Sequence, residues 1–240
     1  MKDFAKWENT RNGAILALIA TIIHIPSMIY FFNHQKSFSI IQLEKIGLNT
    51  NKFIIGYIFI IFVILLISSI FGFAWSKKYG AKGFGSFDDI RYGLKYIIIS
   101  GIFSGILFYF FYTKKLYLIT PDFFPKKTLP IIMIIITNSI FEEILFRFGI
   151  LSWWLRIITY NAYSEKKFKL ALIASIVSCT IITMNQIYLI QGQPIFNMLI
   201  NLIILNLIFN FIQHIIYIKY GLLSSILSHI ISYIRLVLLF

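Results

Sequence analysis

The sequence predicts an all-α fold: a polytopic integral membrane bundle of about seven transmembrane helices. Two observations lead there. The first is composition. Of 240 residues, 59% are hydrophobic and only 13% charged, with a mean hydropathy of +0.83. A soluble globular chain carries roughly 25% charged residues, and a soluble core of this length could not hide so much Ile, Leu and Phe from water. Hydrocarbon can. The second is patterning. Seven apolar runs cover residues 14–32, 53–75, 94–112, 129–151, 170–190, 195–218 and 222–240. Each is near the ~20 residues that cross a ~30 Å layer at ~1.5 Å per residue. Backbone polar groups in lipid must be satisfied internally, so these runs are expected to be helices.

The first run follows Lys2, Lys6 and Arg11, as in a signal peptide. No small-residue cleavage site comes after it, and it is long enough to span, so it is expected to be an anchor helix. Pro26 should bend it, with His24 nearby as a buried, satisfied imidazole. The polar connection 76–93 contains Gly83-Phe84-Gly85. It follows a helix and not a strand, which argues against a nucleotide-binding turn. In the third run Gly101 and Gly105, flanked by Ser100 and Ser104, are spaced for close helix packing. No hydrophilic segment is long enough for a separate domain. The expected organisation is one membrane domain over 1–240, with N-terminal helices over 1–128 and a second half over 129–240.

The formal net charge of +13 could suggest nucleic acid, but its distribution argues against that partner. Lys77/Lys78, Lys114/Lys115, Lys126/Lys127 and Lys166/Lys167 sit in pairs at span ends, where each gains ~1 kcal/mol from anionic headgroups. Membrane lipid is the partner this implies. Lys and Arg are more numerous in the loops on the N-terminal side, which favours a cytoplasmic N-terminus. A single cysteine, Cys179, excludes an internal disulfide and a cysteine-rich metal site; it is expected to pack.

In a bilayer the buried polar residues are the informative ones, because an acid at mid-membrane costs ~2.5–3.5 kcal/mol on insertion scales. Glu142 and Glu143 lie inside the fourth run, and folding gives no reason for a diacid there. Glu143 and Arg147 are four apart and can pair on one face. Glu142 is turned ~100° away, toward Asn138, and remains available as a general base. The bland alternative is helix cross-linking. The last run adds His229, with Ser225 and Tyr233 one turn to either side. Asn206, Asn210 and His214 form a stripe, with Asn197 and Asn201 before it; such stripes more often mark helix–helix hydrogen bonds than catalysis.

The segment Glu142-Glu143-Ile-Leu-Phe-Arg147 matches the EExxxR motif of the CPBP family, the CAAX-protease and bacteriocin-processing membrane proteins that include Rce1-type prenyl proteases and bacterial Abi proteins. Residues 221–229, ending in His229, resemble the approach to the family's third motif, HxxxN. The resemblance covers roughly residues 129–240, a CPBP-like catalytic core. The best counterpart of the second motif, FxxxH, is Ile181-Ile-Thr-Met-Asn185, with Ile for Phe and Asn for His. Tyr233 stands where the third motif usually has Asn. The resemblance implies Glu142 as base, and His229 with Tyr233 as polarising groups at a carbonyl. Asn185 cannot be a base and can only position a water or a substrate amide.

Three classes of function follow. One is a membrane-embedded endopeptidase. Another is an acyltransferase in bacterial lipoprotein N-acylation, where an amine replaces water. The third is a non-catalytic bacteriocin-immunity factor or scaffold. A transporter would require a repeat or a broken-helix pair that is not visible. The expectation is an enzyme of the CPBP type, in a bacterial plasma membrane, acting on a membrane-anchored peptide, protein or lipoprotein. No cofactor is implied, and two firm ligands are too few for a metal.

Overall fold

The computed structural model describes residues 6–34, 50–119, 128–161, 164–191 and 196–239, and among them finds helices and no strand. The helices are α1 (Trp7–His34), α2 (Thr50–Trp75), α3 (Phe87–Phe108), α4 (Thr128–Glu143), α5 (Ser152–Thr159), α6 (Glu165–Gln191) and the long run Phe196–Ser232. A five-residue π turn, Tyr109–Thr113, extends α3, and the chain then continues helically over Lys114–Ile119. A second π stretch, Ile144–Leu151, joins α4 to α5.

The Phe196–Ser232 run is not one rod. Gly221 has φ 86° and ψ 179°, outside the helical region, and the chain folds back there. The Gln213 amide reaches Ser228 at 3.1 Å, and Phe209 meets the His229 ring at 4.8 Å. Residues this far apart touch only across an antiparallel hairpin. Its arms are named α7 (196–220) and α8 (222–232), followed by the short α9 (Ile234–Val237). The reversal needs glycine twice over: positive φ, and a Cβ on Gly221 that would stand 2.6 Å from Gly85 Cα.

The apolar runs read from the sequence therefore lie in helices where they are described. By length and composition, five helices of the described residues are candidates to cross a membrane, the last of them spanning both arms of the hairpin. That supports a polytopic helical membrane protein but does not establish seven crossings. Lys77, Lys78, Lys114, Lys115 and Lys166 are exposed at helix ends, whereas Lys126 and Lys127 lie outside the described residues. Much Ile and Phe faces outward: Phe59, Ile60, Ile99, Phe103, Ile173 and Ile181 are all at least half exposed. In water such a surface would be a liability; against lipid it is the expected exterior.

The core sits where α2 and the π stretch pack together, on Leu65, Ile144, Phe148 and Leu151. A Cβ on Gly72 would fall 2.2 Å from the Phe148 ring, so that contact depends on a bare backbone. The small residues of α3 do the packing expected of them. Gly101 faces Ile231 and the Ser228 carbonyl, and Gly105 faces the Ser232 carbonyl. The Ser100 and Ser228 hydroxyls meet at 2.8 Å. One expectation is corrected. His24 stacks on Phe141 at 5.5 Å, but its buried Nδ1 has no hydrogen-bond partner, because α1 presents it to an aromatic face and not to a polar group.

Candidate active site

The polar centre lies where α4, the π stretch, α7 and α8 converge. Glu143 closes α4, and its carboxylate is fully buried, as is Arg147 one turn on. Arg147 Nη1 stands 3.2 Å from Glu143 Oε1, the i,i+4 pair expected from spacing. Nη2 donates to Asn210 Oδ1 of α7 at 3.0 Å, the guanidinium lies over the rings of Phe146 in the π stretch and Phe209 of α7, and the buried Nε has no hydrogen-bond partner. The Asn210 amide in turn reaches Thr180 on α6 at 3.5 Å. A buried ion pair needs such additional partners, because Coulomb attraction alone does not repay desolvation.

Glu143 makes two contacts across to α8. The Ser225 hydroxyl donates to Oε2, and His229 Nδ1 lies 2.8 Å from Oε1. An ionised carboxylate accepts only, so this contact assigns the Nδ1 proton to His229 and directs Nε2 the other way. Nε2 points at Glu142, whose Oε2 is 3.7 Å away. The Glu142 side chain is 24% exposed, against zero for Glu143. The two adjacent acids are thus split as the helical turn requires. One is locked in a buried network; the other is open at its mouth.

Tyr233 is buried and follows His229 by one turn. Its ring lies nearly parallel to the imidazole, 5.4 Å between centroids and 9° between planes. Its phenol faces Asn138, Glu142 and Arg235. Five of the six expected residues, Glu142, Glu143, Arg147, His229 and Tyr233, are therefore gathered at one place. Asn185 is not. It is exposed on α6, and among the described residues it makes no hydrogen bond to either glutamate. The buried face of α6 is set by Ala171, Ser175, Cys179 and Thr180, and Asn185 falls off that stripe.

Of the α7 stripe, Asn210 and His214 behave as helix–helix glue, whereas the buried Asn206 Nδ2 has no hydrogen-bond partner. Asn210 holds Arg147. His214 Nε2 meets Ser175 of α6 at 2.7 Å, and its Nδ1 faces the Asn210 carbonyl. Asn197 lies outside the residues whose side chains are described. Cys179 is fully buried beside Ser175, a packing residue as expected. Among the described residues, no group of three or more His, Cys, Asp or Glu is arranged to hold a metal ion. Gln213, Ser228 and Arg235 were missed in the sequence. For Arg235 a signal existed, since an ionisable residue inside an apolar run is the same mark that singled out Glu142.

Residues 124–234 match the family model described as type II CAAX prenyl endopeptidase Rce1-like. The match covers under half of the chain but includes all six residues named from the sequence, and it upholds the resemblance drawn from Glu142-Glu143, Arg147 and His229. No curated relative and no solved structure matches the chain.

Proposed function

We propose that this chain is a glutamate-dependent endopeptidase that works inside the membrane layer on a peptide presented from that layer. The observation that carries the reading is the division of labour around His229. Glu143 holds Nδ1 at 2.8 Å, and Nε2 is left 3.7 Å from the partly open carboxylate of Glu142. That separation is too long for a direct hydrogen bond. It is short enough for one water, or one substrate proton, to be shared between carboxylate and imidazole.

In this mechanism Glu142 takes a proton from water as the water oxygen attacks the scissile carbonyl carbon. The carbonyl π pair moves to oxygen. The oxyanion pair re-forms the carbonyl as the C–N bond breaks, and the departing nitrogen takes the proton held by the Glu142–His229 pair, leaving an amine and a carboxylic acid that loses its own proton to solvent. Glu143 does for His229 what the buried acid of a catalytic triad does: it fixes the tautomer and the ring plane. Arg147 balances the Glu143 charge and touches no substrate. The low dielectric around the site strengthens each of these interactions.

The test is cleavage of an internally quenched, prenylated CAAX peptide by purified protein in liposomes. Cleavage is expected, and Glu142→Gln should abolish it while leaving folded yield unchanged. Full activity in Glu142→Gln would sink the assignment of the base.

A further inference from the structure

The mechanism leaves one strong charge unused. Arg235 is the second residue of α9, 14 residues past the Gly221 reversal. It lies near the end of the apolar stretch Leu199–Val237 and is half-buried there. An arginine within an apolar membrane stretch pairs with an acid or lines a functional path. Arg147, the fully buried arginine of the site, has its acid. Arg235 has none: among the described residues no carboxylate lies within ion-pair distance of it. Its hydrogen bonds run from Nη1 to the Ser232 carbonyl and hydroxyl, at 3.3 and 3.4 Å.

What surrounds it is geometry. The guanidinium lies 4.2 Å from the Tyr233 ring centre and 4.8 Å from that of Phe108. Tyr233 stacks on His229, His229 abuts Phe209, and Phe209 meets Phe108 edge-on at 5.6 Å. The five side chains close a ring of flat groups, which holds the guanidinium rigidly in the layer that follows the imidazole and the phenol. Glu142 and Tyr233 are the charged and titratable groups it faces most strongly, with Tyr112 after them.

Building on the endopeptidase reading, we propose that Arg235 is a catalytic residue, the cationic half of the oxyanion site. Water held by Glu142 attacks the carbonyl carbon, and the new C–O⁻ is bound by an N–H of Arg235 together with the Tyr233 hydroxyl. His229 Nε2 is turned to Glu142, so the neutral phenol would otherwise face the developing charge alone. A rigid cation in a water-poor site is a strong stabiliser of charge that appears only in the transition state. As the C–N bond breaks, the oxyanion collapses to a carbonyl and Arg235 is released unchanged. Its part is electrostatic, and it neither gives nor takes a proton.

The same liposome assay with the quenched CAAX peptide tests this. Arg235→Met keeps much of the stem between the rings and removes the charge. A fall in kcat of roughly 10²–10³-fold, the usual effect of losing an oxyanion donor, with KM within about threefold, is the expected result. Arg235→Lys should recover part of the rate. If Arg235→Met folds poorly, Arg235→Ala supplemented with methylguanidinium provides the second arm: rescue of kcat at an unchanged melting temperature supports a direct role. Wild-type kcat in Arg235→Met, or no rescue in a folded Arg235→Ala, overturns the proposal. The parent reading fails separately. If Glu142→Gln cleaves normally the base is wrong, whereas an inactive Glu142→Gln beside a fully active Arg235→Met removes only Arg235.

Discussion

Replacing Glu143 by glutamine keeps the shape of the side chain and removes its charge, so its effect is set by what that charge was holding. Arg147 is fully buried, and Glu143 is the acid paired with it. Breaking a buried pair from one side typically costs ~3–5 kcal/mol, most of it the penalty of the orphaned ion. A chain of 150–250 residues loses ~2–4 °C of melting temperature per kcal/mol, so Glu143→Gln should melt roughly 6–20 °C lower. Glu142→Gln is the control on the neighbouring residue. Its carboxylate is 24% exposed, and its contact with His229 is 3.7 Å, so a loss of at most about 1 kcal/mol is expected, as for other partly exposed pairs. Thermal unfolding of detergent-purified protein, followed by tryptophan fluorescence, measures both. Adding Arg147→Met to Glu143→Gln should restore much of the lost stability, since both charges are then gone. Equal melting temperatures for the two single glutamine variants would refute the assignment of a structural and a chemical acid. So would a double variant no more stable than Glu143→Gln alone.

Other expectations can be checked in the same preparations. Tyr233→Phe removes only a hydroxyl, and a tenfold or greater loss of kcat with unchanged folding is expected; an unchanged rate excludes that hydroxyl from the site. Asn185→His should alter peptide cleavage by no more than about threefold, because the side chain is exposed away from Glu142, and a large gain of hydrolysis would show that α6 turns toward the site in the working enzyme. Gly221→Ala combines a left-handed φ with a clash against Gly85, so folded yield should fall sharply, and near-normal yield would mean the hairpin turn relaxes more readily than described. Ser225→Ala deletes one donor to a buried carboxylate and should cost ~1.5–3 kcal/mol, read as a lower melting temperature.

Spacing along one helix carried the local half of the site. Glu143 and Arg147 meet because four residues make one turn, and Glu142 diverges from them for the same reason. The glycine pair of α3 was legible as a contact surface because small residues in a membrane helix have few other uses. Relations between helices were not legible. Asn210 reaches Arg147 across 63 residues and His229 reaches Glu143 across 86, and no periodicity encodes such distances. Asn185 shows the converse error. Its place in a motif was inferred by likeness, whereas the rotation of α6 is fixed by Ala171 and Ser175, too unremarkable to weigh, and by Cys179, whose packing was expected but whose bearing on Asn185 was not. The π stretch after Glu143 was equally silent, since nothing in Ile144–Leu151 distinguishes a widened turn from an ordinary one.

The hairpin that carries His229 begins with backbone donors that its own helix cannot satisfy. The Gly83 and Phe84 carbonyls accept from Leu222 and Leu223, and the Lys82 amide donates to the Ile218 carbonyl at the other side of the turn. One short loop thus finishes both arms at once, from a stretch of chain about 40 residues before the matched segment starts. Anyone grafting a foreign 124–234 onto these N-terminal helices would have to match that glycine loop to the incoming turn, much as a hinge must suit its door. A single residue of slippage at positions 82–85 would be transmitted along α8 to His229 without altering any group that performs chemistry.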